Sequence, residues 1–74
     1  MTKADFLRNL EIVVEAPPNS ISVGQPLLDL SGWDSMAIIA FIAFADEKLG
    51  KSVQPESLEK AKTVDDLALL VGII

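Results

Sequence analysis

Between Asp34 and Gly50 the chain runs for fifteen residues, Ser35 to Leu49, without a proline or a glycine, and ten in succession, Met36 to Ala45, are apolar. Asp34 is a favourable N-cap and Gly50 a favourable C-cap, so the stretch reads as one helix with defined ends. Ten apolar residues fall well short of the ~20 that a membrane-spanning helix needs. The helix must find its cover within a small fold or on a partner. The chain has 74 residues, half of them hydrophobic and 23% charged. It is expected to fold as a single domain, residues 1–74, around one small core.

The remaining elements follow from the same signals. Phe6, Leu7, Leu10, Val13 and Val14 recur at helical spacing, Thr2 with Asp5 supplies a capping-box start, and Pro17 and Pro18 are expected to stop this first helix. Asn19, Ser20, Ser22, Gly24, Pro26, Ser31 and Gly32 mark a long connection. Ile21, Val23, Leu27, Leu28 and Leu30 are spaced through it, so it should be pinned to the core as an ordered loop. Pro55 at a first helical position predicts a short third helix. Thr63 with Asp66 predicts the start of a last one, with Val64, Leu67, Ala68 and Val71 as its core stripe. No strand alternation or internal repeat is present. The predicted fold is all-α: a small four-helix bundle, three principal helices plus one short helix, with a long ordered loop between the first and second.

Composition removes most classes of function. There is no Cys and no His, so disulfides, thiolate or histidine metal sites and the usual nucleophile and base are missing. A net charge of −5 has the wrong sign for nucleic acid. The N-terminus carries an acid early and shows no secretory signal, so a cytoplasmic location is expected. The glycines are isolated and form no phosphate-binding loop.

On a helical wheel Ile38, Phe41, Ile42, Ala45 and Leu49 form the expected core-facing side of the second helix. Met36, Ile39, Ala40 and Ala43 lie opposite, where water or a partner is expected. Phe44 falls between the two sides and is assigned to neither. An alternative is that the long loop folds over the second face with Leu27 and Leu28. Between Arg8 and Lys48 there is no basic residue, while Glu11, Glu15, Asp29, Asp34, Asp46 and Glu47 fall in that span. Acids around an apolar face would steer a basic protein surface toward it; a solvated face without a partner is the alternative. Ser35, one residue after the expected N-cap, places a hydroxyl among free backbone amides, where the helix dipole favours a phosphate ester by about 0.3–1 kcal/mol. An Asp-Ser pair at a helix start also serves purely local capping. With no base near it, Ser35 is not expected to be a nucleophile in its own right, and no catalytic residue and no metal site is expected.

Taken together, the run Leu28-Asp29-Leu30-Ser31-Gly32-Trp33-Asp34-Ser35-Met36, the helix closed by Leu49-Gly50, and Val64-Asp65-Asp66-Leu67 resemble the acyl carrier protein family. Gly32-Trp33-Asp34-Ser35-Met36 fits its G-x-D-S-[LM] attachment motif, and Thr63-Val64-Asp65-Asp66-Leu67 its T-V-x-D-L start to the last helix. The resemblance implies that Ser35 carries a 4′-phosphopantetheine arm, transferred from coenzyme A by a phosphopantetheinyl transferase. Acyl groups would ride on the arm as thioesters, loaded by a ligase or acyltransferase and passed to the synthase or transferase enzymes of a fatty-acid, lipid or polyketide-type pathway. The protein itself would catalyse nothing and would act as a monomer. Its partner-recognition residues would be Asp34, Met36, Ile39, Ala40, Ala43 and Glu47, with Met36 at the motif's Leu/Met position and Ile39 and Ala43 at apolar contact positions.

Two features qualify the subtype. Ala37 and Ala40 stand where fatty-acid carriers usually place acids, and acid returns only with Asp46 and Glu47. This favours dedicated enzymes of a specialised pathway. The Gly-Gly-[HD]-S-[LI] motif of peptidyl carriers fits less well. Trp33 could cover the arm, meet a partner, or pack the loop end on the bundle. A competing reading is a helical interaction module without a prosthetic group, binding or dimerising through Met36, Ile39 and Ala43.

Overall fold

The computed structural model describes residues 1–73. Four helices follow one another: α1 (Lys3–Val14), α2 (Ser35–Leu49), α3 (Pro55–Lys60) and α4 (Val64–Leu70). A single 3₁₀ turn, Leu27–Asp29, lies in the long loop between α1 and α2. The described residues contain no strand and no helix long and apolar enough to cross a membrane. The fold is the small all-α bundle that the sequence implies.

Local chemistry sets the helix ends. Thr2 and Asp5 form a capping box, as do Thr63 and Asp66, each pair exchanging side-chain and backbone hydrogen bonds that satisfy amides the helix start leaves open. Pro55 opens α3 at its first turn, where its missing N–H costs nothing. The end of α1 corrects the expectation that Pro17 and Pro18 stop it. The helix closes at Val14, with Glu15 in the left-handed region at φ 58° and the Ala16 amide donating to the Glu11 carbonyl over 2.8 Å. The prolines follow this closure and only prevent its continuation.

Phe6 of α1 is fully buried beside Phe41 and Phe44 of α2, with ring centroids at 6.1 and 6.2 Å. Trp33, at the loop end, sets its edge on Phe41 at 6.0 Å. Such edge-on aromatic pairs add to area burial in holding a small core. Leu10, Leu58, Val64 and Leu67 complete the centre. The buried residues of α2 are Ala37, Phe41, Phe44 and Ala45. The expected inner side of the wheel faces the core, with Phe41 and Ala45 buried and Ile38, Ile42 and Leu49 packed against it partly buried; Phe44, assigned to neither side, and Ala37 join the core. A helix apolar on nearly every side carries little directional information, so the position of the α1 aromatic decides which side turns inward.

The loop is ordered, with corrections in detail. Ile21, Leu27 and Leu30 enter the core, but Val23 is exposed and Leu28 is 99% exposed. In a 3₁₀ turn residues three apart share a side, so Leu27 and Leu30 point inward together and Leu28 cannot. The loop therefore does not cover the Met36 face. It is held instead by backbone bonds to the α4 start, Leu27 N–H to the Lys62 carbonyl at 2.8 Å and Val64 N–H to the Gln25 carbonyl at 3.0 Å. At its other end the buried Glu11 carboxylate accepts from the Ser20 and Ile21 amides at 3.1 and 3.3 Å and from Arg8 Nε at 2.8 Å.

Candidate functional site

The approach to Ser35 is built by three consecutive residues. Gly32, at φ +90°, brings the loop against the Val14 carbonyl at the end of α1, closer than any residue with a Cβ could come. Trp33 N–H then donates to the Leu30 carbonyl at 3.1 Å. Asp34 follows in extended conformation as the N-cap of α2: its Oδ1 accepts the Ala37 amide at 3.0 Å and its carbonyl accepts the Ile38 amide at 3.0 Å. These bonds fix both the entry angle of α2 and the place of its first residue.

That first residue is Ser35, exposed, with no side-chain hydrogen bond among the described residues. The amides of Ser35 and Met36 have no acceptor among the described residues either. A helix start with unsatisfied amides and no acidic residue in its first turn attracts an anion. The start of α2 thus offers two free amides beside the exposed Ser35 hydroxyl, next to the Asp34 carboxylate that caps it.

The expected recognition residues fall on one side. Met36, Ala40, Ala43 and Glu47 succeed one another at spacings of four, three and four, which line up on a helix, and Ile39 lies beside them. All five are exposed, Met36 at 72% and Ile39 at 64%. Asp34, Met36 and Ala40 share one wall of a groove of about 600 Å³ with the end of α1, whereas Ile39 and Ala43 border a separate groove with Asp46 and Lys51. Glu47 lines neither groove. On the other flank of Ser35, Trp33, Ile38, Leu28, Leu58 and Ala61 bound a cavity of about 670 Å³. Trp33 thus packs the loop end and walls this cavity at once.

Glu11 does not contribute to an acidic surface, contrary to the count along the chain. It is 3% exposed and held by Arg8. Burial raises its pKa, but the Arg8 bond and charge and the loop amides outweigh that and hold the carboxyl below its ordinary value. Asp66 is also held low, chiefly by the Lys62 and Thr63 amides of its capping box. Ile12, exposed on the far wall of the 600 Å³ groove, escaped sequence reasoning, whereas Glu15 on the same wall is one of the acids counted along the chain. The available signal was that Ile12 is an apolar residue off the α1 core stripe.

The family model described as the phosphopantetheine attachment site matches residues 6–71, nearly the whole chain. The chain belongs to this family. Its cofactor is covalently bound 4′-phosphopantetheine, and it is a non-catalytic carrier. The competing reading of a module without a prosthetic group is thereby set aside. Neither a curated protein nor a solved structure matches significantly. The arm of such a carrier supplies a thiol, a group this chain lacks entirely.

Proposed function

We propose that Ser35 is the attachment residue, and that residues 1–74 act as a monomeric carrier of acyl thioesters. The observation that carries this reading is the geometry of Ser35: an exposed hydroxyl at the first position of a 15-residue helix, capped by Asp34, with free amides on its own and the next residue. In the loading step the Ser35 oxygen forms a bond to the pantetheine-side phosphorus of coenzyme A. The pyrophosphate bridge breaks, the adenosine bisphosphate half leaves, and the hydroxyl proton passes to a base of the transferase. Within this chain no base is needed, which agrees with the absence of His and Cys.

Loading ligases or acyltransferases, and the synthases or transferases that follow, then read the α2 face through Asp34, Met36, Ile39, Ala40, Ala43 and Glu47. The face is mainly apolar, with acid at its two ends. That composition supports service to dedicated enzymes of a specialised fatty-acid, lipid or polyketide-type pathway in the cytoplasm over general charge-based docking.

The test is the intact mass of the purified protein before and after incubation with coenzyme A, magnesium and a broad-specificity phosphopantetheinyl transferase. Wild type is expected to gain one phosphopantetheine and Ser35→Ala none. The variant should melt as wild type does, because an exposed first-turn hydroxyl contributes less than about 0.5 kcal/mol. Modified Ser35→Ala, or wild type that folds and gains nothing, would refute the assignment.

A further inference from the structure

We propose that the docking surface of this carrier extends past α2 onto the last turn of α1, with Ile12 as an apolar anchor and Glu15 as a charged edge, and that it receives a basic surface of the phosphopantetheinyl transferase. The inference rests on Ser35 being the attachment residue.

The groove of about 600 Å³ between α1 and α2 has Ile12 and Met36 among its apolar walls and Ala37 and Ala40 on its α2 side. Phe6, Leu10 and Val14 of α1 are buried, while Ile12 is 75% exposed, nearly matching Met36 at 72%. No lysine or arginine lines the groove; its charged members are Glu15 and Asp34. Glu15 sits where stability alone would not place it. A carboxylate at a helix C-terminus meets the negative end of the helix dipole, and α1 has no basic residue in its last turn. Glu15 forms no ion pair among the described residues. Glu15, Asp34 and the α1 dipole therefore add with the same sign beside an apolar slot, and the two full carboxylate charges outweigh the opposing partial charge of the α2 start. The complementary surface is an apolar side chain flanked by Lys or Arg.

A second copy of this chain does not supply it, since two bodies of net charge −5 repel, and an anionic lipid surface is repelled likewise. Position selects among basic proteins. Asp34 and Met36, the neighbours of Ser35 on both sides, line this groove while Ser35 itself does not, so a protein seated there lies beside the attachment residue and needs only a short overhang to reach its hydroxyl. Of the enzymes that meet a carrier, the transferase is the one that must contact that hydroxyl; the others work at the far end of the arm.

The test compares kcat/KM for modification by a broad-specificity phosphopantetheinyl transferase across wild type, Ile12→Asp, Glu15→Lys and Leu69→Asp, with thermal melting of each. Ile12→Asp and Glu15→Lys are each expected to lower kcat/KM by about tenfold, mainly through KM. Glu15→Lys should melt no lower than wild type, because it replaces an anion by a cation at a helix C-terminus. Leu69, also apolar and 56% exposed but on α4, is expected to tolerate Asp without change. If Ile12→Asp melts early, Ile12→Gln takes its place. Values for Ile12 and Glu15 variants within about twofold of wild type would overturn the proposal while leaving the attachment reading intact. A wild-type protein that gains no arm would overturn both.

Discussion

Replacing Gly32 by alanine probes why the residue three places before Ser35 is a glycine. Its φ of +90° lies in a region that L side chains rarely adopt, and forcing a Cβ into left-handed backbone costs about 1–2 kcal/mol. The added carbon would also overlap the Val14 carbonyl oxygen, with the Val14 carbonyl carbon at 3.4 Å and its Cβ at 3.5 Å. The Cβ is fixed to the Gly32 backbone and meets the Val14 backbone, so relief requires moving the loop or the end of α1, an overpacking cost of about 1–3 kcal/mol. Together the loss is about 2–5 kcal/mol. A chain of 74 residues has on the order of 4–11 kcal/mol of total stability. The melting midpoint should therefore fall by at least about 10 °C.

Two other glycines provide the scale. Gly50 at φ +63° has no atom within 4 Å of a built Cβ, so Gly50→Ala meets only the backbone term. Gly24 has open space and no positive φ, so Gly24→Ala should be neutral or stabilising by up to about 1 kcal/mol. Urea unfolding followed by Trp33 fluorescence would rank the variants, with Gly32→Ala well below Gly50→Ala and Gly50→Ala below Gly24→Ala. A Gly32→Ala protein no less stable than Gly50→Ala would refute the close-approach argument.

Acid should unfold the protein partly through Glu11 and Asp66. Both carboxyls have folded pKa values below their ordinary 4.5 and 3.8, so their contribution is full above those values and is lost as pH falls through the lowered ones. Melting midpoints measured from neutral pH down to about pH 3 should decline, and Glu11→Gln should decline less steeply from a lower starting point. An identical slope in the variant would show that Glu11 is not held as its contacts imply. Asp34→Ala removes the cap that holds the Ala37 amide and should cost about 0.5–2 kcal/mol in chemical denaturation. Asp34→Asn should retain most of it, and equal losses from both would mean that charge, not the cap bond, matters there.

Much of the fold was legible because its signals are local. A capping box needs residues three apart, as in Thr2 with Asp5 and Thr63 with Asp66, and proline at a helix start needs only itself, as in Pro55. The position of Ser35 at the start of α2 was legible for the same reason: Asp34 caps and Ser35 follows. The burial of Ala37 and the place of Phe44 on α2 were not. Phe44 enters the core beside Phe6, with ring centroids at 6.2 Å, which is a contact between distant parts of the chain. The exposed Leu28 was misread because the 3₁₀ turn that rotates it outward has no strong sequence signature.

From its residues alone the chain determined an all-α fold, the starts of its helices, a serine at a phosphate-favouring helix start and the absence of any thiol or imidazole of its own. Each depends on neighbouring residues or on simple presence, which sequence states directly. Tertiary structure decided what lies around that serine. Gly32 against Val14 brings the end of α1 beside the start of α2. That approach sets Ile12 and Glu15 facing Met36 across one groove, more than twenty residues apart along the chain. Charge and apolar surface become a docking site only when packing gathers them, and packing is a property of the whole core.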